Sequence, residues 1–424
     1  MHVVGAGLAG LAAAAAVTAA GGRVRVYEGA GHAGGRCRTY FDEHLGRHID
    51  NGNHLLLSGN RDTYAYLQRF AAADRLSGPA RAAFPFLDLS TGERWTVRPT
   101  PGRLPWWIFM PSRRVPGTRA RDYLAALRLV HAGADATVAL CLGDDGSLFR
   151  RFWEPLAVAA LNADADEGAA ALLWPVLKET FGRGEAACRP RMATRGLSDC
   201  FVNPAIDWLR HAGQPMRFNA RLRALDLEGD RVASLIFADG ERVPVTSRDA
   251  VILALPPTAV ATLLPDVTVP EGSRAIVNAH FRLPGDRAPE TSFLGLVGGL
   301  GQWLFVRDDV ASVTVSAADK LAAGASASDI AARLWPEVAR ALGLVLEATG
   351  GPPPAYRIVK EKRATFAQTT DQVRRRPRAV TGWRNLFLAG DWTDTGLPAT
   401  IEGSVRSGHT AAREAHRKMI EPLT

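Results

Sequence analysis

The sequence predicts an α/β protein in which a parallel, dinucleotide-binding sheet is interleaved with a second, α+β region of mixed sheet and helices. Three observations predict it. The chain opens on strand, glycine turn and helix as MHVVGAGLAGLAAAAAV, and a second strand, RVRVYE, follows and ends on an acid, Glu28. Buried-strand patterns then return far along the chain, as DAVILALPP before residue 260 and NLFLAGD before residue 392. The first two features make a βαβ start, and the third requires distant chain to complete the same sheet.

Each element follows from its residues. Met1 to Val4 can form only a short apolar strand, which turns at Gly5, Gly7 and Gly10 into an alanine-rich helix running to about Ala20. Gly5 permits the tight turn, Gly7 lets backbone approach a pyrophosphate, and Gly10 allows close helix–strand packing. The helix start at Leu8 and Ala9 favours negative charge. Glu28, at the end of the second strand, is placed to accept hydrogen bonds from both ribose hydroxyls and to repel a 2′-phosphate. Strand, three glycines, helix, strand and acid together read as a Rossmann-like nucleotide site.

The next segments decide which nucleotide. GAGHAGGRCRTYF carries Gly34 and Gly35 followed by Arg36, an arginine able to pair with a pyrophosphate. GRHIDNGNHLLLSGN sets Asp50, Gly52, Asn53 and His54 in a polar turn before an apolar run. MRFNARLRALDLEGDRVASLIFADGERV alternates like a small antiparallel sheet with turns at Gly229 and Asp239-Gly240. Near the C-terminus, NLFLAGDWTDTGLPATIEGSVRSGHTAA reads as strand, Gly390-Asp391, loop and helix. A carboxylate there can hold the ribityl chain of a flavin, and the helix start can face the flavin edge that is anionic when reduced. A nicotinamide dehydrogenase has no need of that remote site.

Composition sets the surroundings. At 424 residues the chain exceeds one ordinary core. Cys37, Cys141, Cys188 and Cys200 show no CxxC pairing and no histidine-rich spacing, so neither a disulfide framework nor a metal is expected. The nucleotide strand leaves no room for a leader and no apolar run suits a bilayer span, so a cytoplasmic location is expected. The net charge of +8 comes from scattered arginines amid heavy alanine usage. That pattern fits codon bias, with an anionic membrane surface as the functional rival, and nucleic acid is not expected.

These residues resemble the FAD-dependent amine oxidase and phytoene desaturase superfamily over nearly the whole chain. More narrowly, RHIDNGNHLLLSGN, FWEPLAVAALNA, GLVGGLGQWLF, EKRATFAQT and the C-terminal string are similar to the squalene-associated flavoproteins of bacterial hopanoid biosynthesis, the first and last being the specific ones. The resemblance implies FAD, held by Gly5, Gly7, Leu8, Ala9 and Gly10, by Glu28, by Gly34, Gly35 and Arg36, and by Gly52 and Asn53. It adds the backbone of Leu222 against adenine, then Gly390, Asp391 and the helix start at Thr400 and Ile401. An FAD-binding domain made of 1–80, 196–262 and 376–424 is expected, with a substrate domain made of 81–195 and 263–375. In the latter, SLFRRFWEPLAVAALN reads as helical, AIVNAHFRL and ASVTVSAAD as strands, and DIAARLWPEVARALGL as an amphipathic helix.

The implied reaction is reductive dehydroxylation of hydroxysqualene to squalene, with hydride passing from reduced flavin N5 to the allylic carbon that loses its hydroxyl. Oxidative desaturation of an isoprenoid needs the same long apolar pocket, so lining residues leave it open. A non-catalytic flavin-bearing isoprenoid carrier is the reading from another class. Breaking an allylic C–OH bond near neutral pH calls for a proton donor. His54 is the first candidate and Glu402 the second, their structural readings being a hydrogen-bonded turn residue and a helix-dipole partner. PWWIFMP offers Trp106, Trp107, Ile108 and Phe109 ahead of Arg113, Arg114, Arg119 and Arg121. Such a segment suits peripheral contact with the inner face of the cytoplasmic membrane, or else lines the core or a substrate tunnel. An electron donor and upstream synthases are the further partners expected.

Overall fold

His2–Val4 lies at the centre of a five-stranded parallel sheet, ordered Met216–Arg217, Arg25–Tyr27, His2–Val4, Val251–Leu253 and Leu386–Leu388. The computed structural model describes residues 1–283, 293–344 and 352–420. Strands this short, apolar and buried need cover on both faces. Their side chains supply it by alternation. Val3, Val26, Ile252 and Phe387 face the Leu8–Ala19 and Ile401–Ile420 helices, while Val4, Tyr27, Leu253 and Leu388 face the antiparallel sheet of Leu222–Glu228, Arg231–Phe237 and Arg242–Pro244. The Leu8–Ala19 helix is buried along most of its length because the last helix crosses it closely. A Cβ at Gly408 would run into the Ala9 carbonyl. Alanine is what such a crossing tolerates.

A seven-stranded mixed sheet forms the second layer, ordered Tyr356–Phe366, Ser273–Arg282, Val310–Val315, Trp303–Arg307, Phe293–Val297, Phe84–Asp88 and Arg94–Val97. One face packs on the Ala327–Leu342 helix through Val277, Phe281, Leu294, Val313, Leu334 and Val338. The expected amphipathic helix is therefore present, opened by a capping box between Ser326 and Asp329. The other face presents Phe84, Phe86, Trp95, Phe293 and Trp303 to helical chain between 107 and 177. There the expected helix of 147–162 starts as a single π turn, Phe149–Trp153, before Glu154–Leu161 continues as α-helix. Pro190–Ala193 pairs with both Leu56–Leu57 and Leu76–Ser77, which stitches the end of the first insertion to the nucleotide segment before it. Residues 284–292 and 345–351 of the expected substrate segments, and 421–424 of the last nucleotide segment, lie outside the described residues.

The PWWIFMP reading is corrected in part. Trp106–Phe109 is one 3-10 turn, and it splits the four residues between two environments. Trp107 is 6% exposed and packs edge-on against Tyr123, with Ile108 buried beside it, whereas Trp106 is 56% exposed and Phe109 62%. Three residues per turn place neighbours on different faces, so a continuous run cannot all face out.

Two histidines are locked into this packing. His280, 1% exposed, lies 2.7 Å through Nδ1 from the Ser312 hydroxyl, and His2 lies 3.1 Å from the Tyr27 hydroxyl. Burial pushes both imidazoles down to about 4. In the unfolded chain they titrate near 6.5, so between those values the unfolded state binds more protons. Stability is then present above about pH 6.5 and lost as the pH falls towards 4. Each ring contributes up to roughly 3 kcal/mol to that loss. The melting temperature should hold steady above pH 7 and fall through this window, and His280→Gln should flatten the fall. An unchanged acid slope in that variant would remove His280 from the account.

Candidate functional site

The site begins where the parallel sheet reverses its strand order, at the carboxyl ends of His2–Val4 and Val251–Leu253, the place open α/β sheets reserve for ligands. Gly5, at φ +105°, turns under the Ala254 carbonyl, and a Cβ at Gly10 would collide with the Gly5 carbonyl, so no other residue type fits either position. Gly7 differs. A Cβ there would meet nothing within 4 Å, and Gly34 pairs with it as a bridge across the loop. The helix start behind it carries no capping side chain and no acid in its first turn, which leaves the N–H groups of Leu8, Ala9 and Gly10 for an anion. Glu28 joins the two sides by accepting from the Ala6 N–H at 2.7 Å and the Ala30 N–H at 2.8 Å. The Ala220 N–H donates to the Glu28 carbonyl at 2.8 Å, which brings the Leu222 strand to the same end.

At the far end the structure joins two residues 355 positions apart. Arg36 Nη2 donates to Asp391 Oδ2 at 2.8 Å and its Nη1 to the Ala364 carbonyl. Asp391 is nearly buried while the Arg36 side chain keeps 46% of its surface open, as befits a group on a cleft wall. Gly390, at φ +150°, cannot take a side chain because a Cβ would strike the Trp392 ring. Arg376, which the sequence hides inside the basic run VRRRPR, is buried under this loop and donates to the carbonyls of Asp391 and Thr393. Burial pushes its guanidinium down to about 10, so it stays charged at neutral pH. Thr400 Oγ1 accepts from the Gly403 N–H at 3.0 Å and caps the last helix, whose start at Ile401 faces the same loop.

Glu402 is engaged within the protein. Its carboxylate accepts from the N–H groups of Asp62 and Thr63 at 3.0 and 2.9 Å and from the Thr63 hydroxyl at 2.7 Å, and Arg406 donates to it at 3.2 Å. It thus caps the Arg61–Arg69 helix from outside, and all its capacity is committed.

His54 stands differently. The residue is exposed and its ring has no hydrogen-bond partner among the described residues. Desolvation by the protein around it, opposed by Asp50 and aided by Arg36, lowers the imidazole to about 4, so it is neutral at pH 7. The turn that carries it is pinned on both sides. Asp50 accepts from Arg307 at 2.6 Å, from the Thr39 hydroxyl at 2.5 Å and from the Leu197 N–H at 2.9 Å. Asn53 Nδ2 donates to Thr314 Oγ1 at 3.0 Å, and Asn278 Nδ2 to the Asn51 carbonyl at 3.3 Å. A Cβ at Gly52 would lie 3.3 Å from the same Asn278 amide.

Asn278 and Thr314 open a row that sequence reading missed. Register pairs Asn278 with Thr314, Thr314 with Trp303, Trp303 with Gly295, Gly295 with Phe86 and Phe86 with Trp95. Directly paired residues share a face, so one side of the large sheet runs from a polar end under His54 to an aromatic end. Its signal was present as polar residues at alternate positions of AIVNAHFRL and ASVTVSAAD.

With this geometry in view, comparison with known proteins defines the class: residues 8–416 match the flavin containing amine oxidoreductase family, and the chain belongs to it. FAD is its cofactor, and the open Gly7 cradle with the uncapped helix start fits that group. The chain is 45% identical over 411 residues to the hydroxysqualene dehydroxylase of Zymomonas mobilis, covering 97% of each chain. It is 46% identical over 413 residues to the hydroxysqualene dehydroxylase of Rhodopseudomonas palustris, again covering 97% of each. A putrescine oxidase structure shares the fold, with a TM-score of 0.70 over 98% of both chains at 17% identity.

Removing the Asp391 carboxylate should strand Arg36 and take away an acceptor no neighbour replaces. Asp391→Ala is expected to purify with less than half its FAD, read from the ratio of flavin to protein absorbance. Full occupancy would show that the carboxylate lies outside the cofactor's reach.

Proposed function

We infer that this chain is an FAD-dependent oxidoreductase that removes the hydroxyl group of hydroxysqualene and yields squalene. The observation that carries this reading is the 45–46% identity to three hydroxysqualene dehydroxylases over 97% of the chain. The row across the large sheet supports it independently, because hydroxysqualene is a long apolar chain with one hydroxyl. A face with amides and a hydroxyl at one end and indole and phenyl rings at the other matches such a molecule in both parts.

Bound and reduced, FAD supplies the hydride that replaces the hydroxyl. The chain's residues do the rest. Gly5, Gly7, Leu8, Ala9, Gly10, Gly34 and Gly35 would give the pyrophosphate bare backbone, Glu28 would take the ribose hydroxyls, and the Leu222 backbone would meet adenine. Arg36, Gly52, Asn53, Gly390, Asp391, Thr400 and Ile401 frame the flavin end. His54, neutral at pH 7, would relay a proton, one ring nitrogen giving its hydrogen to the departing hydroxyl as the other takes one from solvent, so that the hydroxyl leaves as water. The aromatic end keeps water from an allylic cation and stabilises its charge through ring faces. Each turnover consumes two electrons, so a separate donor must serve this enzyme. Substrate of this kind partitions into lipid, which places the enzyme against the inner face of the cytoplasmic membrane, near the synthases that supply it. Among the described residues no helix is long and apolar enough to cross that membrane.

Anaerobic single turnover tests the reading. Protein reduced beforehand should regain the oxidised-flavin spectrum only when hydroxysqualene is added, with squalene as the product by mass. Bleaching of oxidised protein by squalene or a polyene would mean desaturation instead, and a yellow protein without turnover in either direction would mean a carrier. His54→Ala should slow reoxidation roughly ten- to hundredfold at full flavin content. Because the ring is already neutral, the wild-type rate should be flat from pH 6 to 8, and a step near pH 6.5 would show that the imidazolium is the working form.

A further inference from the structure

The exposed apolar surface of this protein is concentrated in one place. Of the eleven bulky apolar side chains exposed among the described residues, eight lie between 104 and 140. Scattered singly they would need no explanation, but a contiguous group marks a surface that something covers. They are contiguous here. The Trp106–Phe109 turn packs on the Ala120–His131 3-10 helix, with Trp107 and Tyr123 ring centroids 5.1 Å apart, and the Val138–Leu142 helix packs on the same 3-10 helix.

The 3-10 helix explains why the apolar side is turned outwards. At three residues per turn, side chains at i and i+3 eclipse. Tyr123, Ala126 and Leu129 therefore form one stripe, directed into the core, and Leu124, Leu127 and Val130 form a second, all three exposed. Leu140 adds to it at 73% exposure, and Leu104, Trp106 and Phe109 extend it at the other end.

Charge identifies what meets this stripe. Between residues 103 and 140 the chain has six arginines against two acids, Asp122 and Asp135, the second of them paired with Arg374. Arg121 begins the exposed stripe itself, Arg103 adjoins Leu104 and Arg128 adjoins Leu127, all three exposed. A second copy of the same face would set arginine against arginine. A layer of anionic headgroups over acyl chains matches both the rim and the centre.

We propose that residues 104–140 form a monotopic docking surface for anionic phospholipid bilayers, with Leu124, Leu127, Val130 and Leu140 entering the acyl boundary and Arg103, Arg119, Arg121 and Arg128 meeting the headgroups. The proposal rests on the functional reading for its purpose, delivery of a lipid-dissolved substrate, but the surface is argued from exposure and charge alone. Indole and phenyl groups at Trp106 and Phe109 take the interfacial level that such rings prefer.

Flotation of the FAD-loaded enzyme tests it, with vesicles of phosphatidylcholine alone and with one third phosphatidylglycerol. Binding should be strong to the anionic vesicles, weak to the neutral ones and reduced by salt. Leu124→Ser/Leu127→Ser and, separately, Arg119→Glu/Arg121→Glu should each lower the bound fraction at least tenfold. Both variants should turn over detergent-dispersed hydroxysqualene at the parent rate and lose turnover of vesicle-borne substrate. Undiminished flotation in both variants overturns the proposal. So does a concentration-dependent dimer, seen by light scattering, that the leucine variant abolishes. If the parent floats but does not turn over hydroxysqualene in detergent, the functional reading fails and the docking surface stands.

Discussion

The backbone-to-backbone approach around the first helix is the constraint from which the rest of the molecule follows. On one side Gly10 lies against the Gly5 carbonyl and Ala254, and on the other Gly408 of the last helix lies against Ala9 and Ala12. Neither approach survives a side chain. Together they bring the start of the first helix and the start of the last helix close together although 393 positions separate Leu8 and Ile401. The alanines between are small because two backbones converge there, and a larger residue would push the last helix and its Asp391 loop away from Arg36.

The large sheet and the Thr39–Asp42 strand share custody of the His54 turn. Asp50 is held by Arg307, Thr39 and the Leu197 N–H, while Asn51 and Asn53 are held by Asn278 and Thr314. These partners come from separate parts of the chain, so the turn ties the large sheet to that strand and to the chain at Leu197. Polar residues at Asn278, His280, Ser312 and Thr314 would be costly on an ordinary buried strand. Here Asn278 and Thr314 spend their hydrogen bonds on each other and on the turn, and His280 and Ser312 on each other, whereas at the aromatic end the buried indole N–H groups of Trp95 and Trp303 have no partner among the described residues.

Local signals made the nucleotide half legible. Strand, glycine spacing, helix and Glu28 are each decided within a few residues, and the antiparallel hairpins at 222–244 and the strand before Gly390 declare themselves by alternation. What could not be read were facts of pairing. Arg36 against Asp391, Arg376 under the 391–395 loop and the Asn278–Thr314–Trp303 row depend on which strands become neighbours, and nothing local encodes that. Glu402 is a further fact of this kind. An acid in a helix's first turn looks available, yet its partners, Asp62 and Thr63, arrive from a helix 340 positions earlier. The PWWIFMP segment failed by halves because composition says how apolar a turn is and only its pitch says which side chains face out.

On the proposed reading a neutral His54 handles the leaving hydroxyl while Glu402 stays committed elsewhere. Holding no proton of its own in store, that ring would leave more of the work of heterolysis to stabilising the allylic charge that remains. Phe86 and Trp95 stack at a centroid distance of 5.5 Å, Trp303 meets Phe86 edge-on at 5.6 Å, and the Arg151 guanidinium lies over the Trp95 ring at 4.0 Å, a cluster that excludes water. The same cluster would hold a saturated tail equally well, so the aromatic end alone does not select the position attacked. On the proposed reading that selection falls to the polar end, where the Asn53 turn meets Thr314 and where a lodged hydroxyl would fix which carbon of a nearly uniform chain is presented for reaction.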